Sequence, residues 1–178
     1  MLIEDGGGSG KTAKIGGDGR LKTYALTERE DLYENEENGD CFSILVSKTP
    51  AAGGNNCFFY IKNNNDKNLN ITSMKVYSAS AETIQIKLND IGTPANGTTN
   101  TPVSRNAGSG KIADCVCQDG TDITGLSGGT VVDDLNTGTT MTKWDWGSNI
   151  IIPKNRTLTL YAVTTEVAIK VTLSLYFH

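Results

Sequence analysis

The sequence predicts an all-β protein: an antiparallel β-sandwich of about eight strands, jelly-roll or related Greek-key, carrying an extended N-terminal arm. Three observations predict it. Short runs of alternating apolar and polar residues recur from Cys41 onward, the pattern of strands with one buried and one wet face. Twenty glycines and frequent Thr, Asn and Ser supply turns between them. The last run is the strongest: Val167, Ile169, Val171, Leu173, Leu175 and Phe177 alternate with Lys170, Thr172 and Ser174, as in an antiparallel sheet packed on a second sheet. With 178 residues and 37% hydrophobic content, the chain can bury one core.

Residues 1–40 lack a sustained period and read as an arm, glycine-rich to Gly19, with a short strand over Leu21–Leu26 and a charged turn or helical segment after Thr27. An arm of this composition gains its order on a partner. The sandwich domain is 41–178. It opens with "CFSILVSK", where Phe42, Ile44 and Val46 face inward, then "CFFYIKN", where Cys57, Phe59 and Ile61 do. In "LNITSMKVYS" the inward set changes phase from Leu69 and Ile71 to Met74 and Val76, which predicts a bulge near Ser73. "TIQIKLND" places Ile84, Ile86 and Leu88 on one face. Residues 91–149 are turn-rich with one strand in "KIADCVCQ", and long loops in a compact sandwich usually serve binding. Strands resume at "NIIIPKNRTLTLYAV", with Leu158, Leu160 and Ala162 inward. The pattern leaves the connection order open.

The net charge of −4 is segregated: residues 28–40 balance at −6, whereas 1–27 and 41–178 each balance at +1. A body with no basic stripe beside an acidic run predicts no nucleic-acid partner. The longest apolar runs fall far short of a membrane span, and Met1–Ile3 opens directly onto charge and glycine, so neither membrane insertion nor a signal peptide is expected.

Chemistry-bearing motifs fail on spacing. "EDGGGSGKTAK" has Asp5 where a phosphate loop needs its first glycine, and no strand long enough to feed such a loop; "NAGSGKIAD" has Arg105 there and Ile112 in place of the hydroxyl. The sole histidine, His178, is the last residue, at an end expected to be frayed or exposed with no third group to orient it. Asp133-Asp134 and the pair Asp119 and Asp122 read as solvated turn acids, the latter two too few for a calcium loop. The four cysteines offer no zinc spacing. Cys115 and Cys117 share a strand face, Cys41 and Cys57 could be neighbours, and all four read as free thiols. Asn70, Asn96 and Asn155 head glycosylation-type triplets by chance in an Asn/Thr-rich chain. Trp144 and Trp146 in "KWDWG" share a side if extended, as either a sugar-stacking platform or a packing or subunit contact. No catalytic residue, cofactor or metal is expected.

Three stretches resemble small structural, head-decoration or virion proteins of tailed bacteriophages: "GKTAKIGGDGRLKTYALTERED", "CFFYIKNNNDKNLNITSMKVY" and "NIIIPKNRTLTLYAV". They cover about a third of the chain. The resemblance implies a non-enzymatic virion component, made in the host cytoplasm and assembled into the particle, most simply a capsid decoration or cement protein. Its partner would be the major capsid protein or another virion protein, with self-association as a dimer or trimer. Docking then falls to the arm, at Lys11, Lys14, Arg20, Leu21, Tyr24 and Leu26. The alternatives are a tail, baseplate or head-fibre part, or a glycan-binding module using Trp144 and Trp146.

Overall fold

The computed structural model describes residues 2–4, 12–14, 30–164 and 166–178. Two short strands, β1 (Leu2–Glu4) and β2 (Thr12–Lys14), pair antiparallel with Leu2 opposite Lys14. A phosphate loop would require a helix to open at Thr12; a strand opens there instead. The expected strand at Leu21–Leu26 lies outside the described residues. The helical segment after Thr27 is present, as one α-helical turn, α1 (Glu30–Tyr33), widening into a π-helical turn over Glu34–Asn38. Gly39 ends it in the left-handed conformation (φ 66°), which only glycine adopts at no steric cost.

Thirteen strands follow: β3 (Cys41–Lys48), β4 (Asn56–Asn63), β5 (Leu69–Ser78), β6 (Glu82–Leu88), β7 (Ile91–Ala95), β8 (Thr98–Thr99), β9 (Val103–Ser104), β10 (Cys115–Asp119), β11 (Thr124–Ser127), β12 (Thr130–Thr137), β13 (Thr142–Ile152), β14 (Thr157–Ala162) and β15 (Ile169–Phe177). They form a five-stranded sheet, β13-β5-β15-β3-β9, and a six-stranded sheet, β12-β6-β14-β4-β10-β8. Every pairing is antiparallel, and β3 pairs with β15, β4 with β14, β5 with β13 and β6 with β12. These four pairs are rungs of one long hairpin that fall alternately in the two sheets. That is jelly-roll order, so the connection that the sequence leaves open is settled.

The core is what the alternation predicts. Phe42, Ile44, Val46, Ile71, Met74, Val76, Ile84, Ile86, Leu158, Leu160 and the Ile169–Phe177 row are buried in a single cluster between the sheets. Each such side chain contributes about 1.5–3 kcal/mol. The β5 register shifts between Ile71 and Ser73 against β15, which is the bulge expected near Ser73. A second bulge was not expected. Between Phe59 and Cys57 the β4–β14 register slips, so Cys57 does not face inward with Phe59 and Ile61. It turns to the outer face of the six-stranded sheet, beside Tyr60 and Ile123. Cys41 and Cys57 are therefore not neighbours, because Cys41 sits outward on the other sheet.

Residues 91–149 are more ordered than their composition suggests, since β12 and β13 are two of the eight jelly-roll strands. Their pattern is weak because both lie at sheet edges and are bulged, β12 between Val131 and Asp133 and β13 between Asp145 and Ile150. Between β6 and β12 the insertion runs out along β7, caps the far edges with β8, β9 and β10, and returns along β11, which pairs with β7. Ile123 and Leu126 cover Cys57, Tyr60 and Tyr161.

Asp90 fastens this insertion where it begins. Its buried carboxylate accepts from Thr159 Oγ1 (2.5 Å), Tyr161 OH (3.2 Å) and the Gly129 amide (2.8 Å), and its carbonyl accepts from Thr157 Oγ1 (2.8 Å). Any side chain at Gly129 would strike that carboxylate. Replacing Asp90 by Ala leaves two hydroxyls and an amide facing an apolar methyl. The expected loss is about 3 kcal/mol in urea denaturation, whereas a loss below about 0.5 kcal/mol would mean that water substitutes for the carboxylate.

Candidate functional site

The residues that converge most tightly lie where the helical segment meets the body. Glu34, 4% exposed, accepts from Asn38 Nδ2 (2.7 Å), has His178 Nδ1 at 3.1 Å and Lys67 Nζ at 3.8 Å. Asp40 pairs with Lys67 (3.1 Å) and Lys111 (2.9 Å). Burial pushes the Glu34 carboxyl up, but the hydrogen bonds of His178 and Asn38 and the charge of Lys67 outweigh it and leave the group below its ordinary 4.5. Asp40 is likewise raised by burial and, on balance, lowered from 3.8 by Lys111 and Lys67. Backbone joins in: Asn106 Nδ2 donates to Asn35 O (2.9 Å), the Phe177 amide to Asp40 O (3.1 Å), and the Cys41 thiol to Asp31 O (3.0 Å). Residues 30–40 are thus riveted to the body, and the C-terminus is held rather than frayed. The His178 amide and carbonyl both pair with Asn68, at 3.0 Å each.

A groove of about 710 Å³ opens beside this segment, on the outer face of the five-stranded sheet. Strand alternation makes its floor. With Leu173, Leu175 and Met74 inward, Ser174, Ser73 and Lys75 point out, and the pairing register sets Asp145 opposite Ser73 and Lys143 opposite Lys75. Ser73, Ser174, Asn35, Asp31 and Arg105 are among the residues that line it.

Of the sequence-predicted site residues, Lys11, Arg20, Leu21, Tyr24 and Leu26 lie outside the described residues, and Lys14 ends β2. Trp144 and Trp146 do share a side of β13: both are half-buried and pack against the core, Trp146 with its indole N–H directed at Asp133 Oδ2 (3.4 Å). Trp146 also lines the groove. Asp119 is not a solvated turn acid. It is buried, accepts from Thr98 Oγ1 (2.8 Å) and Asn100 Nδ2 (2.8 Å), and pairs with Lys48 (3.0 Å), tying the insertion to β3. Among the described residues, no three His, Cys, Asp or Glu side chains group as metal ligands.

The four cysteines are free thiols. Burial pushes Cys41 up to about 11 and Cys57 up to about 12. The contact with Cys115 Sγ, 3.4 Å away, and burial push Cys117 up as well. Such thiols are poor nucleophiles.

Sequence reasoning missed Glu34, Asp40, Lys67 and Lys111 as a unit. Glu34 and Asp40 belong to a charged segment that the sequence assigns to the arm, and their lysine partners come from turns tens of residues away. Comparison of the chain with protein-family models, with curated proteins and with solved structures finds no match.

Two outcomes follow from this geometry. Depressed carboxylates hold their full stabilisation above the ordinary values of 4.5 and 3.8 and lose it as pH falls through the lower folded values. Amides of residues 34–40 should therefore lose protection at acid pH before those of β15 in hydrogen exchange corrected for intrinsic rates; simultaneous loss would dissolve the rivet. Iodoacetamide at pH 8 should modify half-exposed Cys115 first, with Cys41, Cys57 and Cys117 labelled only after unfolding, as peptide mapping would record.

Proposed function

We propose that this chain is a non-enzymatic structural protein of a tailed-bacteriophage particle, made in the host cytoplasm and assembled as a decoration or cement protein on the capsid. It docks through its N-terminal arm and associates with copies of itself through the sandwich. A jelly-roll body alone would not select this role, because the fold hosts many functions. The observation that carries the reading is that the second and third resembling stretches lock together at one end of the sandwich and hold there the segment that follows the first.

"CFFYIKNNNDKNLNITSMKVY" forms the β4–β5 corner and "NIIIPKNRTLTLYAV" the β13–β14 corner, and the two corners lock together. Buried Asn63 donates through Nδ2 to Ile152 O and to Lys67 O, at 2.8 Å each. The Asn155 amide donates to Asn63 O (2.8 Å), the Asn63 amide to Arg156 O (3.1 Å), and Lys154 pairs with Asp66 (2.5 Å). Lys67 of the same turn then holds Glu34 and Asp40, just beyond the "ERED" that closes the first stretch. Residues far apart in sequence thus build one rigid mount for the arm. A mount that passes load from an arm into both sheets is what a cement protein needs, and buried satisfied polar groups fix its geometry.

Because residues 30–40 belong to the mount, the informative truncation removes 1–29. That variant should keep the thermal midpoint of the full chain within a few degrees and fail to bind particles lacking the protein, in co-sedimentation. Quantitative mass spectrometry of purified particles should find it at a fixed simple ratio to the major capsid protein. A ratio below about one in twenty would move it to a tail or vertex, where symmetry allows few copies, and its absence from particles would overturn the reading.

A further inference from the structure

Strand β10 sets two thiols side by side. Cys115 and Cys117 share its inner face, because same-face positions recur at every second residue, and their Sγ atoms lie 3.4 Å apart. Cys117 is buried and Cys115 half-exposed. β8 stops at Gln118, short of Cys115, so solvent reaches the pair from that end.

A disulfide does not suit this pair. Same-face positions of a strand lie about 6.7 Å apart, whereas a disulfide holds its Cβ atoms within about 4.5 Å. Closing one would buckle β10 against β4, where Cys115, Val116 and Cys117 pair with Asn63, Lys62 and Ile61. The same spacing does suit a metal ion between the sulfurs. Two metal–thiolate bonds of about 2.3 Å in line span about 4.6 Å. Rotating the side chains opens the sulfurs that far from 3.4 Å and leaves the strand in place. Among the described residues, no third His, Cys, Asp or Glu side chain joins the two thiols. That selects the ion: zinc takes four ligands, whereas a soft monovalent d10 ion is satisfied by two thiolates.

We propose that Cys115 and Cys117 bind Cu(I) as a two-coordinate dithiolate. Each thiol releases its proton, so one ion replaces two protons, no electron moves, and the complex carries one negative charge. The half-exposed Cys115 end keeps that charge within reach of water. The site stands apart from the particle role, since it requires no capsid partner.

The test is anaerobic titration of the full chain with Cu(I) in competition with the chelator bathocuproine disulfonate. One ion should bind per chain, with a thiolate-to-metal charge-transfer band in the ultraviolet, a raised thermal midpoint and loss of Cys115 alkylation by iodoacetamide. Zn(II) should bind at least about a hundredfold more weakly. Cys115→Ser and Cys117→Ala should each weaken Cu(I) binding at least about tenfold, while Cys41→Ser leaves it unchanged. Cys115→Ser changes a half-exposed position and should keep the midpoint of the metal-free chain within a few degrees, so its loss of affinity reads the site and not the fold. Absence of binding, Zn(II) bound as tightly as Cu(I), or full affinity retained in either Cys115→Ser or Cys117→Ala would each overturn the proposal.

Discussion

Strand β15 is the constraint on which the rest of the molecule rests. It lies between β3 and β5, and five of its nine residues, Ile169, Val171, Leu173, Leu175 and Phe177, are buried between the sheets. A strand with a side-chain period of two cannot slip by one residue without turning that whole row to solvent. Its register therefore fixes β3 on one side and β5 on the other. Through the corners that leave them, β4 and β14 are then placed in the opposite sheet. Phe177 also meets Phe42 edge to face at 5.8 Å, so the last strand closes on the first strand of the body.

Polar groups complete what the apolar row begins, and they do so at the ends of the sandwich, where backbone must turn without a ladder partner. Asn63 and Asp90 are the two clearest cases. Each satisfies several donors or acceptors from segments distant in sequence, and each sits where burial raises the cost of leaving them unmet. Asn63 ties one sheet-crossing corner to another, whereas Asp90 ties the start of the long insertion to its end and to β14. Lys87 packs over the Tyr161 ring at 3.7 Å on the same outer face, adding a cation–π contact beside the hydroxyl that Asp90 holds.

The two outer faces have different fates. The insertion covers that of the six-stranded sheet and buries Cys57 and Tyr60. Among the described residues, the five-stranded sheet receives the segment 30–38 along one side, and a groove lies beside it. A face lined by lysines and serines differs in kind from the satisfied polar clusters at the ends.

Periodicity by itself determined the class of fold, the inward residues of β3, β5, β6, β14 and β15, and the bulge near Ser73, because burial of one face writes directly into alternate positions. Composition determined that a glycine-rich, charge-segregated stretch precedes the body. The jelly-roll order, the bulge that turns Cys57 outward and the strands β12 and β13 were decided only in three dimensions. Edge strands bury one side at most, and a slip of a single residue leaves no mark on the sequence pattern. The rivet at Glu34 and Asp40 was hidden for another reason: a carboxylate in an acidic run looks solvated until Lys67, Lys111 and the C-terminal His178 are brought to it by strands that end tens of residues away. Trp144 and Trp146 were legible as sharing a side, but whether that side met core or solvent depended on which sheet edge β13 occupied. The groove likewise exists only as a product of register, which sets Ser73 beside Ser174 and Lys75 opposite Lys143.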